Sequence, residues 1–168
     1  RWDSAWGNAK RAISSVFDLT VVDNRISAVF VSYLDRFYYD GTLEDARVVD
    51  ILKKNRFLAD NSFDCPSLWH CHHGFLSTQD EGMLLENINV NVLDREDIEG
   101  KEKKRSIDIM TFHKLDFSTV FLDNCKDSDM FLLVEKALAR IHGRNKDIVI
   151  EVLQPEMASR IPGLVKEC

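Results

Sequence analysis

Ten consecutive residues, Cys65-Pro66-Ser67-Leu68-Trp69-His70-Cys71-His72-His73-Gly74, hold three of the five histidines and two of the four cysteines of this chain. Thiolate and imidazole are the ligands that Zn²⁺ takes in tetrahedral sets of four, and a loop lets such ligands converge. Structural zinc sites pair two short Cys or His spacings from separated segments, and here the second pair is missing. The expectation is therefore a polar loop anchored by Trp69 and Phe75. A zinc-stabilised binding module built on His70, His72, His73 and the cysteines ranks third among the functional readings. A cysteine nucleophile would need an imidazole within hydrogen-bond reach. Neighbours such as Cys71 and His72 point apart, so the base would have to come from elsewhere, from His113 or His142.

Carboxylates supply the second kind of chemistry. Asp108 shares a strand face with Met110 and Phe112, and a carboxylate on an otherwise apolar face needs a partner, a metal ion or exposure. Glu86 breaks the apolar side of the alternating stretch 84–92, and Glu151 stands between Val149 and Leu153. Hard divalent cations collect several oxygen ligands, which such groups provide. After Gly100, Lys101, Lys103, Lys104 and Arg105 form a basic run that could meet a nucleic-acid backbone, although a charged hairpin tip is more often simply solvated. The run lacks interleaved aromatic residues for base stacking. No phosphate-cradling glycine-rich loop, Gly-x-Ser-x-Gly elbow or dinucleotide fingerprint is present.

The elements that would position these groups follow from periodicity. Over about 1–60, apolar residues recur every three or four positions (Trp2, Ala5, Trp6, Ala9, Ile13, then Ile26, Val29, Phe30, Tyr33, Leu34, Phe37), which predicts a helical part. Gly41 stops one helix there, and Thr42 with Asp45 has capping-box-like spacing for the next. Residues 61–82, with Pro66, Gly74 and Gly82, read as a long loop. Beyond it the period drops to two. Residues 84–93 alternate apolar side chains with Asn87, Asn89 and Asn91, and 106–114 carry apolar residues on both faces, so a hairpin is expected. A short strand at 119–123, a helix at 128–142 ended by Gly143, and a buried strand at 147–153 before Pro155 complete the reading.

The expected class is α+β: a helical part at about 1–60, then a mixed sheet with element order αβββαβ. One domain over 1–168 is expected, with a helical lobe at 1–60 and a sheet lobe at 84–168. This order resembles the core of the PD-(D/E)xK nuclease superfamily. That resemblance implies a metal-dependent nuclease, or a degenerate relative, with Asp108 on the second core strand and Asp123 and Lys126 on the third as catalytic residues. Asp108, Asp123 and Glu86 would then hold Mg²⁺ or Mn²⁺. The spacing Asp123-x-x-Lys126 differs from the acid-x-Lys of that superfamily, and residues three apart do not share a strand face.

Composition narrows the classes. The chain has 168 residues, of which 45% are hydrophobic and 30% charged, enough for a packed core and unlike a disordered or low-complexity segment. Its formal charge of -6, from 22 Lys and Arg against 28 Asp and Glu, argues against a wholly basic nucleic-acid module. Apolar runs fall far short of the ~20 residues that a bilayer crossing requires, so no membrane partner is expected. Four irregularly spaced cysteines predict reduced thiols and an intracellular setting. With a good core and no complete active-site motif, the leading reading is a non-catalytic protein-interaction or regulatory domain with a protein partner.

Overall fold

A computed structural model describes residues 2–19, 26–66, 68–96, 99–100, 102–125 and 129–164. The class is α+β: helices stand with a four-stranded sheet of order β1-β4-β3-β2, from β1 (Ala28–Tyr38), β2 (Trp69–Gln79), β3 (Gly82–Glu96) and β4 (Lys103–Phe117). Every pairing in the sheet is antiparallel, so the expected mixed sheet is corrected. The hairpin foreseen from the alternating stretches exists and is longer, its pairs running from Gly82↔Phe117 to Glu96↔Lys103.

Helix α1 (Trp2–Leu19) agrees with the 3.6 period, but the helical reading of the first 60 residues fails at β1. Its Val29, Phe30, Val31, Tyr33 and Phe37 are β-branched or aromatic, and such side chains gain more on a pleated surface than on a helix. Pairing with β4 along eleven positions makes that preference decisive. Thr42 and Asp45 do interact as a capping box would, Asp45 N–H donating to Thr42 Oγ1 at 3.3 Å, yet the chain there forms a turn and only the 3₁₀ turn Val48–Asp50 follows.

The expected loop at 61–82 is instead the short helix α2 (Asn61–Asp64) and the eleven-residue strand β2, joined to β3 through the two residues 80 and 81. The expected strand at 119–123 is helix α3 (Thr119–Asp123), capped by Ser118, whose hydroxyl accepts from the Phe121 N–H at 3.2 Å. The expected strand at 147–153 is the second half of one long helix, α4 (Met130–Val152), which runs through Gly143. Its buried residues Val134, Leu138, Ile141, Asn145, Ile148, Val149 and Val152 keep helical spacing throughout. The element order αβββαβ is therefore not formed. A last helix, α5 (Pro155–Ser159), starts with Pro155, where a missing N–H costs nothing.

Helix α4 lies across one face of the sheet and touches β1 and β4. Its end is tied to residues 48–53 by a bridge between Leu52 and Leu153, by Lys53 N–H to Val152 O (3.0 Å) and by Gln154 N–H to Ile51 O (2.8 Å). Among the described residues no helix is long and apolar enough to cross a membrane.

Candidate functional site

The helix-covered face of the sheet is apolar at both ends and polar between them. At one end Ile88, Val90, Val92, Ile107 and Ile109 pack with Ile148, Val149 and Val152 of α4. At the other, Leu84, Leu115 and Phe117 pack with Val134, Leu138 and Ile141. Separating the two clusters are Glu86 and His113, direct partners across β3 and β4, and Thr111, whose hydroxyl donates to Asn145 Oδ1 from α4.

Glu86 accepts a hydrogen bond from Arg144 Nε at 2.7 Å. His113 Nδ1 lies 3.9 Å from the same Glu86 oxygen, beyond hydrogen-bond length, and neither ring nitrogen of His113 makes a hydrogen bond of good geometry, the Asn145 side chain being the nearest polar neighbour, although the residue is 0% exposed. Burial, joined by the nearby Arg144 charge, holds the imidazole below its usual pKa against the opposing pull of Asn145 and Glu86. The ring is thus neutral at pH 7. Tyr33 of β1 meets it edge-on at 6.4 Å between centroids, and burial pushes the Tyr33 hydroxyl up to about 12. Over this polar belt opens a pocket of about 350 Å³, walled by Leu84 and Ile141 and flanked by Arg140 and Arg144.

The opposite face of the sheet is open. Register places its side chains in rows across all four strands: Phe30, Lys114, Leu85 and Leu76; then Ser32, Phe112, Asn87 and Gly74; then Leu34, Met110, Asn89 and His72; then Arg36, Asp108, Asn91 and His70. Phe30 (66%) and Leu76 (69%) at the two ends of the first row are largely exposed, and Leu34, Met83 and Met110 are exposed beside them. Phe30 and Phe112 touch diagonally, with ring centroids 5.8 Å apart. Gly74 is where Asn87 leans across: a Cβ there would lie 2.5 Å from Asn87 Oδ1.

Asp108 does sit on this face with Met110 and Phe112, and its partner is a pair of arginines. Arg36 donates through Nε and Nη2 to its two oxygens at 2.6 and 2.8 Å, and Arg95 adds a bond at 3.1 Å. The hydrogen bonds from Arg36 above all hold the Asp108 carboxyl below the usual carboxylate range, against the effect of burial. Asp123 closes α3 beyond the far end of β4. The nine residue steps from Asp108 to Phe117 span roughly 30 Å of strand, and the short helix that follows cannot return Asp123 to within the ~5 Å that two ligands of one metal ion require. The structure therefore does not bring Asp108, Asp123 and Glu86 together, Glu86 being on the helix-covered face; Lys126 lies outside the described residues.

Residues 70–73 alternate between faces, His70 and His72 on the open side, Cys71 and His73 on the other. Among the described residues no three His, Cys, Asp or Glu side chains are grouped so as to hold a metal ion. Cys168 lies outside the described residues, as does Lys101 of the basic run. Of the others, Arg105 is committed to Asp94 at 2.5 Å, and Lys103 and Lys104 face Glu96 and Arg95 across the ladder. Glu151 is engaged by Arg56 at 3.1 Å.

Sequence reasoning named Glu86, named His113 only as a base for a cysteine nucleophile, and missed Arg144 and the link between them. His113 follows Ile107, Ile109 and Thr111 at strand spacing, which marks it as an inward histidine, and Arg140 and Arg144 stand four apart, which puts them on one helix face. Comparison of the chain with protein-family models, with curated proteins and with solved structures finds no match.

Proposed function

We propose that this chain is a non-catalytic protein-interaction domain and that its open sheet face pairs with a second copy of itself. The observation that carries the reading is the row Phe30, Lys114, Leu85 and Leu76, continued by Leu34, Met110 and Phe112: one apolar surface that crosses every strand and that no described helix covers. Monomeric proteins rarely expose contiguous apolar patches beyond a few hundred Å².

Size and charge favour a second copy as the occupant. Four strands about 4.8 Å apart and eleven residues rising about 3.4 Å each make a face of roughly 700 Å², close to the ~800 Å² that each partner of a standard interface buries. Both carboxylates on this face are engaged within it, Asp108 by Arg36 and Arg95 and Asp116 by Lys114 at 2.7 Å. Asn87, Asn89 and Asn91 carry both a donor and an acceptor, as a two-fold, self-complementary contact demands.

Sedimentation equilibrium of the chain across micromolar to millimolar concentrations tests this. A monomer–dimer equilibrium is expected, shifted to monomer in a Leu34→Arg, Leu76→Arg variant of unchanged circular dichroism. A monomer at every concentration, or a dimer indifferent to that variant, overturns the reading.

A further inference from the structure

We infer that the outer edge of β2 pairs with β2 of a second copy, antiparallel and centred on Gly74, so that two four-stranded sheets join into one of eight strands. This contact is separate from the open-face contact and rests on backbone groups. In the order β1-β4-β3-β2 the strand has a neighbour on one side only. The N–H and C=O groups of an edge strand are a template for a further strand, and proteins blunt such edges with charge, proline or a bulge. At the other edge β1 carries Asp35 and Arg36. The eleven residues of β2 include no Asp, Glu, Lys, Arg or Pro, and they pair with β3 without a skipped position. At the middle of β2, His72, His73, Gly74, Phe75 and Leu76 are all exposed, on both faces of the sheet.

Hairpin register tells which backbone groups are free. Residues 80 and 81 form a two-residue turn, so the closing pair, Gln79 and Gly82, is a hydrogen-bonded one. Alternation from Gln79 turns the N–H and C=O of Thr78, Leu76, Gly74, His72 and His70 away from β3.

A second copy is the occupant that these positions fit. Gly74 is the midpoint of Trp69–Gln79, so a two-fold axis there pairs the strand over its whole length: His70 with the partner's Thr78, His72 with the partner's Leu76, and Gly74 with the partner's Gly74. Each outward N–H then meets an outward C=O. Between these pairs His73 faces the partner's Phe75, and within one strand those two rings already stack at 6.3 Å, so four rings gather around the axis. With no acidic or basic Asp, Glu, Lys or Arg in the strand, none of these charges stands opposite its like in the new ladder. The axis is perpendicular to the sheet, which leaves both open faces on one side and free for the contact proposed above.

Amide hydrogen exchange of the full chain, followed by NMR from micromolar to millimolar concentration, tests the pairing. Exchange at His70, His72, Gly74, Leu76 and Thr78 should slow by roughly tenfold or more as concentration rises, because only a partner strand bonds these amides. The slowing should persist in a Phe30→Arg, Leu34→Arg variant, which disrupts the open face on β1 and leaves β2 intact. Ser77→Cys under oxidised glutathione tests the register. Cys71 lies opposite the partner's residue 77 at a non-hydrogen-bonded pair, close enough for a disulfide, whereas within one strand six steps, roughly 20 Å, separate the two positions. A cross-link between copies from residue 71 to residue 77 is expected, and none to residue 78 in Thr78→Cys, whose side chain is on the open face. Adding His73→Lys and Phe75→Lys, at unchanged circular dichroism, should abolish both the slowing and the cross-link, since like charges then face each other across the axis. Exchange at the five amides that is independent of concentration overturns the inference. So does slowing that disappears in the Phe30→Arg, Leu34→Arg variant, or failure of the cross-link from residue 71 to residue 77.

Discussion

Glu86 and His113 stand opposite each other in the β3–β4 ladder, Oε1 to Nδ1 at 3.9 Å, and interrupt an otherwise apolar, helix-covered face. Arg144 reaches Glu86 from α4, so the helix that closes both apolar clusters also supplies the cation of the polar belt.

Acid should destabilise the fold through His113. Its folded-state pKa lies below the unfolded value of about 6.5, so the unfolded chain binds the extra proton and stability declines as pH falls from about 6.5 towards the folded value. Urea midpoints at pH 8 and pH 5.5 should differ, and the difference should shrink in His113→Gln, where no imidazole remains to charge. An unchanged difference would assign the effect to other groups.

Asp108 acts in a lower window with the same sign of slope. Its depressed pKa means that its contribution is complete above the unfolded value of about 3.9 and disappears as pH falls through the folded one. Asp108→Asn at neutral pH should cost about 1–3 kcal/mol, less than for a fully buried pair because Arg36 and Arg95 are partly solvated. It should also flatten the unfolding curve below pH 4, as measured by acid titration of circular dichroism.

Glycine substitutions should have opposite signs at two positions. A Cβ on Gly82 would overlap the Asp116 carbonyl oxygen, with φ at +156°, so Gly82→Ala forces the β3–β4 ladder apart and lowers the melting temperature. Gly143 lies inside α4 with nothing within 4 Å of its Cβ position, so Gly143→Ala should add about 0.5–1 kcal/mol. Thermal melts of the two variants decide both claims.

Leu138→Ala should cost about 2–5 kcal/mol, because Leu138 is buried in the cluster with Val134, Ile141 and Leu115 and truncation leaves a cavity. Leu132→Ala on the exposed side of the same helix should stay within about 0.5 kcal/mol. Equal denaturant midpoints for the two variants would contradict the packing of α4.

The α+β class, the β3–β4 hairpin, the first turns of α4 with their Met130, Val134, Leu138 and Ile141 stripe, and the anomaly at Glu86 were all legible in the sequence, because each rests on a local period or a local break in one. What the local pattern could not decide was any segment whose side chains suit two periods. Residues 28–38 satisfy a helical stripe and a strand equally, and only the free edge of β4 selected the strand. Residues 147–153 form an apolar run that reads as a buried strand, yet continuity with α4 past Gly143, against both apolar clusters, made them helix. Residues 69–79 looked like a loop because Gly74 and the polar residues around it hide the alternation of an edge strand, which is visible only once β3 is beside it. The same dependence governs the site. Asp108 could be recognised as needing a partner, but Arg36, 72 positions earlier, was brought to it by strand pairing, and His113 met Arg144 only through the packing of a helix on a sheet. Tertiary structure alone joins such residues, since the hydrophobic and hydrogen-bond gains that pair distant segments leave no mark on the neighbours of either one.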